Sequence, residues 1–328
     1  MSYNDTIGID IGGANTKVAS ASGDARSFYL PLWKDCDLVQ LLQFINDEFQ
    51  PSNVGIVMTG ELTDVFKSKS EGVLYIASCV HSVFASPYFF TVRGQFAQTV
   101  SKRNNALYAA SNWAASSAFL AQGLSDCLFV DAGSTTCDII PIKGGQAVAS
   151  LTDFERLHAN ELIYTGVLRT NIATVLRSVT LGRRRYRLSS ECYAITADAH
   201  RVLGNIEEAE YACDTPDSRQ RDIDGCCRRI ARVLLSDVET LGKRNIYQIA
   251  RFVERAQVDE LADALAVHAD EQGIRQVVGA GLGEFIIERA ASRQGLGCCL
   301  LSHQYGKVIS QVFPAYAASR LLEQAIKR

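Results

Sequence analysis

Two short turns carry the residue types best suited to phosphate chemistry. Asp10 sits near the end of the apolar run Ile7–Ile11 and is followed by Gly12, Gly13, Asn15, Thr16 and Lys17. Asp131 ends a second run, Cys127–Asp131, and is followed by Gly133, Ser134, Thr135 and Thr136. Closely spaced glycines and small hydroxyl residues let backbone N–H groups converge on one anion with no Cβ in the way. An Asp at the end of each strand can hold Mg²⁺, directly or through water, as a phosphate-bearing ligand requires. The hydroxyls of Thr16, Ser134, Thr135 and Thr136 add donors, and Lys17 adds a point charge. Either turn alone could use Gly and Asn for backbone reasons. The same device twice, about one domain's length apart, points instead to two similar halves and a phosphate ligand.

Other candidates are single residues. Glu61, just after a buried strand in the stretch Met58–Glu61, is the candidate base; the alternative is an exposed loop carboxylate. Arg169 could bind a diphosphate or a carboxylate, or form a structural salt bridge. Gly279, Gly281 and Gly283 lie between a late strand and a helix. Their G-x-G-x-G spacing is not the dinucleotide fingerprint, and it suits either a nucleotide's sugar or base lying on backbone, or close helix–strand packing. Asp198 and His200 are two apart on a predicted helix and do not face each other, so His200 reads as a helix-surface residue. His158 and Glu161, three apart near a helix end, could share a ligand or form an ordinary surface pair, and Asp214 with Asp217 reads as turn chemistry that could also add metal contacts. Arg183, Arg184, Arg185 and Arg187 read as a solvated loop.

The elements that must position these residues follow from pattern. Strands are expected at Ile7–Ile11, Thr16–Ser20, Ser27–Leu30, Asn53–Thr59, Val73–Val80, Cys127–Asp131, Cys137–Ile142 and, last, Gln276–Gly279. The first of these reads back to Met1. Leu38, Leu41, Leu42, Ile45 and Phe49 predict a helix stopped by Pro51. Further helices are expected over Asn104–Gln122, Asp153–Asn160, Glu191–Leu203, Asp222–Leu241 and Val258–Gln272, with one from Glu284. In the Asp222 helix, Ile223, Cys227, Ile230, Leu234 and Leu241 form one apolar face. A terminal helix starts at Pro314, with Ala317, Leu321 and Ala325 along one side. The expected division is a first half at 1–123, completed by the C-terminal helix 314–328, and a second half at 124–313 with a helical insertion.

Composition bounds the function. The 328 residues are 47% hydrophobic and 21% charged with net charge −3, which excludes the basic surface that non-specific nucleic-acid binding needs. No run of about 18 apolar residues would span a membrane. The ten cysteines contain no Cys-x-x-Cys, so small reduced thiols in a cytoplasmic protein are expected.

The two Asp-ended hairpins followed by a late glycine turn resemble the ASKHA superfamily of actin, Hsp70 and sugar kinases. That resemblance implies an α/β fold of two ribonuclease-H-like domains with a cleft between them, where the hairpins hold phosphates and Mg²⁺ and the glycine turn meets adenosine. A closer resemblance runs through Gly8–Lys17 (GIDIGGANTK), Met58–Asp64 (MTGELTD), Val130–Ile142 (VDAGSTTCDIIPI), Glu161–Thr170 (ELIYTGVLRT) and Asp214–Arg219 (DTPDSR). These stretches are similar to hydantoinase/oxoprolinase-like proteins of tetrahydromethanopterin-linked one-carbon pathways, a group that includes a methanofuran-biosynthesis synthase. Two departures are Cys137, where Thr is common, and Ala132, where a larger apolar residue is.

The resemblance implies a transferase that condenses the phenol of γ-glutamyltyramine with an aminomethylfuran methyl diphosphate and releases pyrophosphate. Asp10, Asp131, Glu61 and Lys17 would then be catalytic, with Asp10 and Asp131 holding Mg²⁺. Gly12, Gly13, Asn15, Thr16, Gly133, Ser134, Thr135, Thr136, Arg169, Gly279, Gly281 and Gly283 would bind diphosphate or nucleotide. The expected partner is a small phosphorylated molecule, with no nucleic acid and no membrane; ATP and a homodimer stay open. The alternatives are an ATP-dependent kinase or hydantoinase-type enzyme, and a non-catalytic nucleotide sensor.

Overall fold

The computed structural model describes residues 6–34 and 36–327; the expected strand start at residues 1–5 and the helix end at residue 328 lie outside them. The backbone clusters into two compact units. One comprises Met1–Phe129, Ile140–Glu161 and Leu301–Arg328, and the other Val130–Ile139 and Leu162–Leu300.

In the first unit, β1 (Thr6–Ile11), β2 (Asn15–Ser20) and β3 (Ala25–Tyr29) form an antiparallel meander. Helix α1 (Leu38–Phe49) starts where the Asp37 side chain accepts the Gln40 N–H at 3.0 Å, and it buries Leu38, Leu42, Ile45 and Phe49. Then come β4 (Asn53–Met58), α2 (Lys69–Val83), β5 (Tyr88–Phe90), β6 (Phe96–Ala97) and α3 (Asn112–Leu120). The sheet order is β3-β2-β1-β4-β5-β6, with β4 parallel to both β1 and β5.

Two expectations fail here. Val73–Val80 is not a strand but the middle of α2. Its buried Val73, Ile76, Ala77 and Val80 fall at helical spacing, and Ser68 caps it by accepting the Glu71 N–H. Asn104–Gln122 is not one helix. A short 3₁₀ turn spans Asn105–Leu107, Ala110 beyond it has φ +49°, and the Ser111 N–H then donates to the Met58 carbonyl on β4 before α3 begins.

The C-terminal helix (Phe313–Ile326) packs on β1 and β4. Its buried side runs through Ala315, Ala318 and Leu322, whereas Ala325 on the expected face is exposed. Gly8 makes the approach close: a Cβ there would lie 2.0 Å from the Ala315 carbonyl oxygen and 2.7 Å from the Ser319 nitrogen. Both obstacles are backbone, so Gly8→Ala should cost about 3 kcal/mol, read as a lowered urea midpoint for unfolding.

The second sheet uses β7 (Cys127–Ala132), β8 (Cys137–Lys143) and β9 (Gln146–Ala147), and the boundary between units falls inside β7 and β8. Helix α4 (Asp153–His158) follows, with Thr152 and Glu155 forming the expected capping box. Next are β10 (Leu162–Ile163), α5 (Ile172–Val175), the hairpin β11 (Ser178–Leu181) and β12 (Arg184–Arg187), and α6 (Thr196–Leu203). The unit continues with α7 (Ile223–Arg232), α8 (Val238–Leu241), the 30-residue α9 (Lys243–Gln272), β13 (Gln276–Ala280), α10 (Glu284–Arg293) and β14 (Gly297–Leu300). Its sheet order, β10-β8-β7-β13-β14, repeats the third-second-first-fourth-fifth arrangement of the first sheet. Two ribonuclease-H-like α/β sheets, each opening on a strand with Asp as its penultimate residue and the return of that strand, are the fold.

Several boundaries in this unit differ from expectation. The helix expected at Glu191 begins only at Thr196. The one expected over Asp222–Leu241 breaks at Leu235, φ +54°, and Ile223 on its supposed apolar face is exposed. Helix α9 starts fifteen residues before Val258, and β14 follows the strand expected to be last. The four arginines at 183–187 are exposed, but in a hairpin turning at Gly182 rather than a loop. All ten cysteines are free thiols. Among the described residues, no helix is long and apolar enough to cross a membrane.

Candidate functional site

In the first unit, Asp10 is the penultimate residue of β1, buried, and in register with Lys17 of β2 and Val57 of β4. The Gly12 N–H closes the turn onto the Asn15 carbonyl at 3.0 Å. The Thr59 and Gly60 N–H groups both donate to the Ile11 carbonyl at 3.0 Å, so the segment leading to Glu61 is fastened to the end of the Asp10 strand. A Cβ on Gly12 would lie 2.7 Å from the Asn15 carbonyl oxygen, and one on Gly13 would press on Thr63 Cγ2 at 2.9 Å. Thr16 is fully buried and its hydroxyl has no hydrogen-bond partner among the described residues, while Gly12, Gly13, Asn15 and Lys17 are half-buried.

Glu61 is not an exposed loop carboxylate: it is 1% exposed and its Oε2 has no hydrogen-bond partner among the described residues. Burial pushes its carboxyl up to about 7, against the opposing pull of its own backbone N–H and that of Ala110. Asp153 acts in the same direction as burial, and Lys69 opposes it. Gly72 of α2 lies so close that a Cβ would sit 2.1 Å from the Glu61 carbonyl oxygen. A carboxyl near 7 is divided between acid and base at neutral pH, which suits proton transfer.

In the second unit, Asp131 is the penultimate residue of β7, and the Gly133 N–H closes its turn onto Thr136 O at 2.9 Å. A strap, Thr165–Thr170, holds the back of this turn. The Val167 N–H donates to the Gly133 carbonyl at 3.0 Å, and the Leu168 and Arg169 N–H groups donate to the Ser134 carbonyl at 3.0 and 3.1 Å. In a trans peptide the N–H points opposite the C=O. With both carbonyls turned to the strap, the N–H groups of Ser134 and Thr135 point to the other side, as an anion site needs. Arg169 reaches Thr135 Oγ1 through Nη1 at 3.4 Å. Ser134, Thr135, Thr136 and Arg169 are all half-buried.

The late glycine turn meets the same strand end. Gly281 has φ +96°, and a Cβ there would lie 2.5 Å from Asp131 Oδ1 and from the Ala132 carbonyl oxygen. The Gly283 N–H donates to that carbonyl at 2.9 Å. At Gly279 a Cβ would press on Ile287 and Leu300, each at 3.0 Å. All three glycines thus have a packing reason.

Glu161 is buried and accepts the Ser150 N–H, whereas His158 is exposed. Asp217 pairs with Arg229 and Arg232, and Asp214 is exposed. Asp198 and His200 are not on a helix surface; both are fully buried, Asp198 against Arg229 at 2.8 Å and His200 against Gln257 at 2.9 Å. Their partners on α7 and α9 lie far along the chain, so helical spacing alone gave no sign of them.

Among the described residues, no group of three or more His, Cys, Asp or Glu side chains could hold a metal ion. One aspartate beside hydroxyls and turn N–H groups fits Mg²⁺, which keeps most of its waters and is commonly shared between a carboxylate and a phosphate.

The hydantoinase/oxoprolinase family profile matches residues 53–325. A (4-{4-[2-(gamma-L-glutamylamino)ethyl]phenoxymethyl}furan-2-yl)methanamine synthase from Methanocaldococcus jannaschii is 37% identical over 329 residues, covering 98% of this chain and 98% of that one. The synthase of the same name from Methanococcus vannielii is 34% identical over 213 residues, covering 63% of this chain and 96% of that one. Of solved structures, a ROK family glucokinase from Streptomyces griseus aligns over 97% of this chain and 99% of that one, at 14% identity and TM-score 0.46. With two relatives above 30% identity, one of them matched end to end, and a profile spanning most of its length, the chain belongs to the hydantoinase/oxoprolinase family.

Proposed function

We propose that the chain is a synthase of the same kind as its Methanocaldococcus relative, an aryl-ether-forming transferase of methanofuran-type cofactor biosynthesis. The observation that carries this reading is the end-to-end similarity, 37% identity over 98% of both chains. The product named for that relative is a phenoxymethylfuran, so the bond made joins a phenol oxygen to a CH₂ on the furan ring. The bond broken is from that carbon to a diphosphate, which leaves with the electron pair as pyrophosphate; the phenol proton goes to a base.

Each hairpin, within its own unit, has turn N–H groups that fit a phosphate group, with Lys17 beside the first and Arg169 beside the second. Such donors stabilise the growing negative charge of a leaving diphosphate, and the furan ring spreads the positive charge on the carbon. Asp10 or Asp131 would hold Mg²⁺, which would neutralise diphosphate charge. Glu61 fits the base. A phenol has a pKa of about 10, and the buried carboxylate takes its proton as the new bond forms. The setting proposed for this reaction is cytoplasmic one-carbon metabolism linked to tetrahydromethanopterin, with small phosphorylated molecules as the partners.

The family profile over residues 53–325 favours a second reading, an ATP-dependent enzyme that phosphorylates a hydroxyl or opens a lactam. One assay separates the two. Purified protein with Mg²⁺, the furan diphosphate and γ-glutamyltyramine is followed by mass spectrometry and a pyrophosphate assay, with and without ATP. Ether plus pyrophosphate without ATP is the expected result. No ether, with ATP-dependent release of phosphate or ADP, would replace the first reading by the second.

A further inference from the structure

The strap behind the Asp131 turn is itself held, and the holding can be traced atom by atom within one unit. Gln257 sits near the middle of α9 with its side chain 1% exposed. Its Nε2 donates to the Gly166 carbonyl and to Thr165 Oγ1, both at 3.0 Å, and its Oε1 faces His200 Nε2 at 2.9 Å. A backbone carbonyl can only accept, so the amide orientation is fixed. Oε1 must then receive a proton, which makes His200 the Nε2–H tautomer.

The other side of the imidazole agrees. His200 Nδ1 lies 3.1 Å from Asn205 Nδ2, which also donates to Glu254 Oε1 at 2.6 Å, and an Nδ1 without hydrogen accepts there. Arg289 and Arg251 hold the Glu254 carboxylate. Burial pulls His200 down to about 4, so this arrangement keeps one charge state through the neutral range.

Gly166 passes the hold to the turn. A Cβ on it would fall 2.5 Å from the Ser134 carbonyl carbon and the Thr135 nitrogen, so its backbone lies directly on the peptide joining them. Its carbonyl also accepts from Thr196 Oγ1 at 2.8 Å, and its N–H donates to Thr170 Oγ1 at 2.9 Å. Three donors or acceptors, from Gln257, Thr196 and Thr170, thus fix one glycine whose backbone lies against the turn after Asp131.

We infer that Gln257, oriented by His200, is a positioning residue that sets the Ser134–Thr135 peptide through Gly166, and so sets the aim of the turn's N–H groups at the diphosphate. The diphosphate part rests on the proposed function; the mechanical part does not. Gln257 meets no substrate: its side chain is spent on His200, Thr165 and Gly166.

The test is hydrogen exchange on the full chain, with Gln257→Leu removing the donors at similar volume. The amides of Val167, Leu168 and Arg169 report the strap–turn bonds directly. They and the amides of 133–136 should exchange roughly tenfold faster than in wild type, the effect of losing one or two buried hydrogen bonds. Affinity for inorganic pyrophosphate with Mg²⁺, read by calorimetry, should fall by a similar factor. In turnover, kcat should fall while KM for the phenol holds, a split that general loosening would not give. Gln257→Glu keeps the acceptor for His200 and nearly the same shape but withdraws donors, and it should behave alike if the leucine variant fails to fold. Faster exchange confined to α6 and α9 would overturn the inference, as would wild-type pyrophosphate affinity and kcat in either variant. Should the wild-type protein make no aryl ether, the functional reading falls and the exchange at 133–136 still decides this one.

Discussion

Asp10→Asn and Asp131→Asn should each abolish pyrophosphate release, by roughly 10³-fold or more if one carboxylate carries its share of leaving-group stabilisation. The substitution is nearly isosteric; it removes the negative charge available to a cation and turns one acceptor oxygen into an NH₂ donor. Both residues stand one position before the end of a buried strand, and the turns beyond them close through backbone bonds, Gly12 to Asn15 and Gly133 to Thr136. The turns should therefore survive the change, and circular dichroism and the unfolding midpoint should stay near wild type. Loss of turnover with an intact fold is the result expected from a diphosphate–Mg²⁺ role. Either variant turning over at the wild-type rate would remove that Asp from the mechanism.

Glu61→Gln should separate activity from stability. As the base, Glu61 works ionised, so wild-type kcat should rise with pH through about 7 and level off above it. The glutamine variant should lose that limb and about 10²–10⁴-fold in rate. Stability should move the other way. The carboxyl titrates at 4.5 when unfolded and at about 7 when folded, so between those values the native state holds more protons. The stability from keeping Glu61 protonated is complete below 4.5 and is lost as pH rises through about 7. The shift corresponds to about 3 kcal/mol at most, so at pH 8 the glutamine variant should melt higher than wild type while doing less chemistry. A variant that is less stable at pH 8, or that keeps the wild-type pH limb, would show that Glu61 is not a strained base.

Much of this architecture was legible because its signals are local. An apolar run, an Asp and a glycine turn are read from adjacent residues, and β1, β2, β7 and β8 stand where those signals put them. Helix α1 was legible from its period and from Pro51. Helix α2 was not, because Val73, Ile76, Ala77 and Val80 sit in a short apolar stretch that suits either period. Ser68 and Glu71, the capping pair, were the signal that could have decided it. The front half of α9 hid its buried Ile246, Ile249, Ala250 and Val253 among charged residues. The least legible feature was the polar interior. His200, Asp198, Arg229 and Gln257 are held by partners 31 to 92 residues away, and no local pattern encodes a distant partner. The strap was visible only as the stretch Glu161–Thr170, with nothing to say that it fastens a turn.

The seat of the C-terminal helix on β1, through Gly8, bears on how the protein is made. The surface of β1 is covered by a helix that is synthesised about 300 residues after it. At about 5–20 residues per second, the two are separated by roughly 15–60 s of synthesis. Throughout that interval Ile7, Ile9 and Ile11 belong to a sheet whose one face lacks its cover, whereas the chain of the second unit, Val130–Ile139 and Leu162–Leu300, is all made before Phe313. Of the two units, the one that holds β1 is therefore completed after the other. A growing chain of this kind is a natural client for a holding chaperone, and a stop codon just before Phe313 would release a polypeptide whose amino-terminal half, not its carboxyl-terminal one, fails to fold.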